Sequence, residues 1–122
     1  MTNEERLESL KKEMAPRFWS KIEQSLGLII KSVPGLEAVY LFGSVARREP
    51  KWDSDVDLAV ITKEPLTDHY VRGMIIDELD WPNEDGVRAD VIFRTEDFVG
   101  GSPTFETLYN RDKELIWRKS DD

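Results

Sequence analysis

Cysteine is absent from the sequence. That excludes a disulfide framework and a thiolate zinc site, and it is compatible with a reducing cytosol. Histidine occurs once, as His69, at a position expected in the first turn of a helix. A Ser-His-Asp triad therefore has no geometric support. Neither G-x-x-x-x-G-K-[ST] nor G-x-G-x-x-G occurs. No run approaches the roughly 18 apolar residues of a membrane span, and the opening MTNEERLESLKK has no signal-peptide core. A soluble, cytoplasmic protein is expected. Positive charge is also scarce: 17 Lys and Arg stand against 25 Asp and Glu, a formal net charge of −8. Duplex nucleic acid is held by neutralising its phosphates with basic side chains, so bulk binding of that kind is not expected. A basic protein is the better-matched large partner, and simple solubility is the plainer reading of the same charge.

What is present suits one domain with its own core. Thr2 and Glu5 fit a capping box, and Leu7, Leu10 and Met14 follow at helical spacing. Pro16 should interrupt that helix. Phe18, Ile22, Leu26, Ile29 and Val33 then form an apolar stripe ending at Pro34-Gly35. Strands are expected over residues 36–42, 55–61 and 87–93, with a last apolar piece at 115–117. Helices are expected over 44–48, 68–81 (capped by Thr67, with Val71, Met74, Ile75, Glu78 and Leu79 inward) and 104–110, with fraying from 119 to 122. Helices and strands alternate, so the class is α/β or α+β, a small mixed sheet flanked by helices. The organisation reads as a helical segment at 1–35, a core at 36–93 and a closing segment at 94–122.

The informative stretch is YLFGSVARREPKWDSDVDLAVI, residues 40–61. A Gly-Ser at a helix start turns backbone N–H groups and a hydroxyl toward an anion. Asp55 and Asp57 are two apart on an expected strand, so both carboxylates leave one face. Such oxygens suit Mg²⁺, which takes one or two carboxylates, waters and substrate phosphates. Asp90, in RADVIF, is a third acid at a strand position, where Asp is disfavoured. Unpaired carboxylates brought together persist best around a cation. Arg47, Arg48 or Arg88 could instead neutralise them, but the short loop from Gly-Ser to the acids favours a shared anion-and-metal site. Trp52, in that loop, could border a substrate; the tryptophans otherwise read as core or edge packing.

The run GSVARREPKWDSDVDL resembles the signature of the minimal nucleotidyltransferases of the DNA polymerase β superfamily: Gly-Ser, ten residues, Asp-x-Asp, then a later acid. Gly43-Ser44, residues 45–54 and Asp55-Val56-Asp57 match without a gap, and Ala46, Arg47, Ser54 and Leu58 match the usual fillers. Asp90 sits where the third carboxylate belongs. One departure is Arg48, at a place the family commonly gives to glycine; it could extend the helix or add a phosphate contact.

The resemblance implies the nucleotidyltransferase fold and two Mg²⁺ ions held by Asp55, Asp57 and Asp90. It implies that Gly43, Ser44 and Arg47 bind the nucleotide, with ATP as substrate, and that Asp90 helps to remove the proton of the attacking hydroxyl. Small stand-alone members resemble the antitoxin of HEPN/MNT pairs, which moves AMP onto a tyrosine of a basic helical HEPN toxin. That activity is the leading expectation. The alternatives are a small-molecule nucleotidyltransferase completed by a partner subunit, and a non-catalytic module that neutralises a partner by binding.

Overall fold

The computed structural model describes residues 1–121. Two helices, α1 (Asn3–Glu13) and α2 (Pro16–Ser32), precede strand β1 (Leu36–Phe42) and a single helical turn, α3 (Gly43–Ala46). Strand β2 (Val56–Thr62), helix α4 (His69–Asp80) and strand β3 (Ala89–Thr95) follow. Helix α5 (Pro103–Asp112), strand β4 (Glu114–Arg118) and a short 3-10 turn (Lys119–Asp121) close the described chain. The strands form one mixed sheet in the order β3-β2-β1-β4. β1 runs antiparallel to β2 and β4, and β2 runs parallel to β3. A parallel pair needs a crossover, which α4 provides.

Strand alternation divides the side chains between two layers. Val39 and Leu41 of β1, Val56, Leu58 and Val60 of β2, Val91 of β3 and Ile116 of β4 face the larger core. Helix α2 covers that face with Phe18, Ile22, Leu26 and Ile29, all buried. Each such side chain contributes on the order of 1.5–3 kcal/mol by leaving water. The capping box is formed: Glu5 N donates to Thr2 Oγ1 at 3.1 Å, and Thr2 N donates to Glu5 Oε1 at 3.0 Å. Pro16 begins α2 at its first position, where no intrahelical N–H partner is needed.

Several boundaries differ from the sequence reading. Asp68, not Thr67, caps α4, accepting from Tyr70 N and Val71 N. Of the five residues expected on the inner side of α4, Ile75 and Leu79 are buried and Val71 is half-buried, whereas Met74 and Glu78 are exposed. β2 starts at Val56 rather than 55, leaving Asp55 in the loop before it, and β3 runs two residues later than expected. α3 spans 43–46 instead of 44–48 because Arg48 turns the chain out of the helix. Instead of fraying throughout, 119–121 form the 3-10 turn; residue 122 lies outside the described residues. Trp52 and Trp81 are 84% and 73% exposed, so only Trp19 and Trp117 are packing residues.

A buried charge escaped the sequence reading. Lys21 is fully buried in α2, where its ammonium donates to the Trp81 carbonyl at 2.7 Å and to Gln24 Oε1 at 3.2 Å. It thereby satisfies a carbonyl at the C-terminus of α4. Its position on an otherwise apolar stripe is the signal available in sequence.

The smaller layer holds Ala38, Tyr40, Ala59, Ile61 and Tyr109, with Phe42 and Ile92 packed against them. α5 lies on this face. Its Phe105 and Tyr109 stack at 6.0 Å and meet the Phe42 ring edge-on at 5.8 and 5.2 Å. Arg94 fastens the helix through Glu106, at 2.7 Å, and lies over the Phe98 and Tyr109 rings.

Candidate active site

The sheet register brings the acids together. Asp57 is the second residue of β2; its antiparallel neighbour is Phe42 and its parallel neighbour is Asp90. Directly paired residues share a face, so the Asp57 and Asp90 side chains leave the sheet on the α5 side. This is the face opposite the α2 core. Asp90 and Asp55 are exposed and Asp57 is half-buried.

Gly43 follows Phe42 directly and therefore abuts Asp57. It adopts φ +76°, and a Cβ there would overlap the Asp57 carboxylate. Only glycine combines that backbone with so close an approach. The spacing of the motif also has a local cause. Ser44 Oγ donates to Ser54 Oγ at 3.2 Å, and Ser54 Oγ accepts from Lys51 N at 2.8 Å. These bonds close the intervening loop and set Asp55 beside the helical turn.

Electrostatics single out Asp57. Burial, reinforced by the charges of Asp90 and Asp55, pushes its carboxyl up to about 7, with Arg47 opposing the shift. An acid with like charges on two sides is stabilised by a cation at that place. Among the described residues, no three His, Cys, Asp or Glu side chains form a ready-made metal cage. Mg²⁺ does not require one, because waters and substrate phosphates complete its shell. The donor set, all carboxylate oxygen, fits that ion.

The two arginines after the helical turn are committed elsewhere. Arg47 Nη1 pairs with Asp112 Oδ2 at 2.7 Å. The Asp112 carboxylate is almost enclosed, and Arg111 together with Arg47 holds it below the usual carboxylate range. Arg47 thus reaches Asp57 electrostatically while its direct partner is at the end of α5. Arg48 does not lengthen the helix. It adopts φ +61°, in the left-handed region that glycine enters without strain. Its guanidinium grips Glu114 with two bonds, at 2.9 and 3.1 Å. These partners lie some 65 residues away in sequence. The visible hint was the mixed-charge run RDKE at residues 111–114.

His69 is exposed at the first position of α4. Trp52 has an exposed ring, and its carbonyl accepts from Arg17 Nη1 at 2.8 Å. Tyr109 is buried, which pushes its phenol up to about 12 and keeps it neutral.

Comparison with known proteins identifies the family and the fold. The family model described as "Polymerase beta, Nucleotidyltransferase" matches residues 24–87, which include Gly43, Ser44, Asp55 and Asp57 and end just short of Asp90. Comparison with curated protein sequences gives no match. Among solved structures, one similar chain belongs to a toxin–antitoxin determined with AMP-PNP. Its TM-score is 0.58 at 22% identity, over 82% of this chain and 73% of that one. A Sulfolobus solfataricus protein provisionally described as a nucleotidyltransferase gives 0.56 at 23%, over 85% and 83%. A chain of the tri-AMPylated Shewanella oneidensis HEPN toxin in complex with MNT antitoxin gives 0.53 at 19%, over 82% and 71%. Likeness at these identities is likeness of fold. With more than half of its length matched by the family model, the chain belongs to the polymerase β nucleotidyltransferase family.

Proposed function

We propose that this nucleotidyltransferase moves AMP from ATP to a hydroxyl, the acceptor being a tyrosine of a HEPN-type toxin that it silences as an antitoxin. The observation that carries the reading is the pairing of Asp57 with Asp90 on an open sheet face, with Gly43 packed against Asp57. The toxin–antitoxin similarities and the acidity of the chain support the choice of partner.

Asp55, Asp57 and Asp90 would hold Mg²⁺, which when bound neutralises the acids and the triphosphate and stabilises charge on the entering and leaving oxygens. Ser44 and the amides of its helical turn face the phosphates. The acceptor oxygen bonds to the α-phosphorus, the bond to the bridging oxygen breaks, and pyrophosphate departs. Asp90, the more exposed of the register pair, takes the proton of the acceptor hydroxyl.

Incubation with a HEPN-type partner and ATP labelled at the α- or the γ-phosphate tests the reading. Label on the partner from the α-position alone, lost in Asp55→Asn, is expected. Undiminished transfer by Asp55→Asn would refute the assignment, and label on a small molecule would move the acceptor to another class. One observation favours a non-catalytic binding module: Arg47 is already paired with Asp112. Calorimetric titration with Mg²⁺-ATP separates the two: saturable nucleotide binding supports the transferase, and its absence supports the module.

A further inference from the structure

On the side of the sheet opposite the acids, α1, α2 and β4 enclose a cleft of about 430 Å³. Its floor is Leu7, Trp19, Leu26, Ile30 and Trp117. Ile30 is 44% exposed there although it belongs to a helix whose other isoleucines are buried. The rim carries Glu4, Glu8 and Glu23, all exposed, and no lysine or arginine lines the cleft. Gly27 lies in the middle of α2 at the cleft. Beyond its chain neighbours and the backbone of its own helix, no described atom stands within 4 Å of a Cβ built there, so packing against the rest of the protein does not require glycine. A helix interior disfavours glycine more than any residue except proline. A missing side chain beside an exposed apolar floor leaves room for a backbone to approach from outside.

We infer that this cleft docks a basic amphipathic helix of another protein, its apolar side chains on the tryptophan floor, its backbone against Gly27 and its Lys or Arg side chains on the three glutamates. Apolar anchors in a groove with a charged rim are the usual form of such recognition. Charge decides the occupant. A second copy of this chain brings eight further formal negative charges to an acidic rim, whereas a basic helix is attracted to it. The groove and the acids lie on opposite faces, so docking leaves the site of chemistry open. The inference does not rest on nucleotidyl transfer, but it assigns the partner of that reading a place to bind.

The test uses the full chain and two synthetic amphipathic helices of about five turns. They share one leucine face, and their polar faces carry lysine in one and glutamate in the other. Amide and indole N–H shifts of Trp19, Trp117 and Gly27 are followed by NMR. Saturable shifts at these residues are expected with the lysine peptide, with affinity at least about tenfold weaker for the glutamate peptide. Gly27→Leu should abolish the shifts at Trp19 and Trp117 without lowering the melting temperature. Should that variant fail to fold, Glu8→Lys/Glu23→Lys, altered only at exposed positions, should reverse the peptide preference. Asp57→Asn should bind the lysine peptide as the parent does, which keeps failure of docking distinct from failure of transfer. Equal affinity for both peptides, shifts at other surfaces, no binding to about 1 mM, or self-association through the same indoles would overturn the inference.

Discussion

At the scale of residues, Asp57 and Gly43 carry most of the consequence. Asp57 titrates at about 7 in the folded chain against 3.8 for the free group, so the folded state binds the proton more tightly. Its contribution to stability is therefore present below about pH 4 and is lost as pH rises through 7. Asp57→Asn removes that loss. In the absence of divalent cations the variant should gain on the order of 1–2 kcal/mol relative to the parent near pH 8, after allowance for a half-exposed group, and nothing near pH 4. Urea titrations at the two pH values measure this; an equal effect at both would show that the carboxyl is not perturbed. Gly43→Ala meets both a left-handed backbone and the Asp57 carboxylate. It should cost about 1–3 kcal/mol and weaken nucleotide binding more than its stability loss explains. Thermal melts read beside Mg²⁺-ATP calorimetry would show the two effects, and unchanged nucleotide affinity would count against the site. Both residues are legible in the sequence, because a glycine-serine turn and spaced acids on a strand each have a chemical reason to stand where they do. The half-burial of Asp57 is not, since it arises from the register with β1 and β3.

At the scale of elements, the helical turn α3 is held from both sides. The Ser44–Ser54 bond ties it to the loop before β2, while Arg47 and Arg48 tie it to Asp112 and Glu114 at the junction of α5 and β4. The closing segment is thus part of the site's scaffold. Asp112→Asn should weaken the Arg47 pair and cost about 1 kcal/mol, with the loss confined to pH above the carboxylate range. Chemical denaturation at about pH 3 and pH 7 reads this, and an equal loss at both would exclude an ionic origin. Periodicity gave the elements themselves: the α2 stripe, the alternation of β2 and the punctuation at Pro34-Gly35 each name a physical preference. Their ends were less legible. Asp68 displaced Thr67 as a cap, and Arg48 accepted a left-handed backbone in exchange for two bonds to Glu114, a tertiary partner that local sequence does not reveal.

At the scale of the whole molecule, the mixed sheet separates two tasks. One face is sealed by α2 into the larger core, with an acid-rimmed cleft outside it; the other carries α5 and leaves the acids open. That both Asp57 and Asp90 emerge on the open face follows from strand alternation and a parallel register, and it brings the later acid beside the first pair. The long-range ion pairs and buried Lys21 belong to this scale as well, and no local pattern announces them. The central claim is that these carboxylates form a place for a divalent cation. It is tested most directly by following the Asp57 side-chain carboxyl by ¹³C NMR through a pH titration, with and without saturating Mg²⁺. An inflection near 7 that falls by more than about one unit when Mg²⁺ is added is the predicted result. An inflection that stays in place in saturating Mg²⁺ would contradict the account.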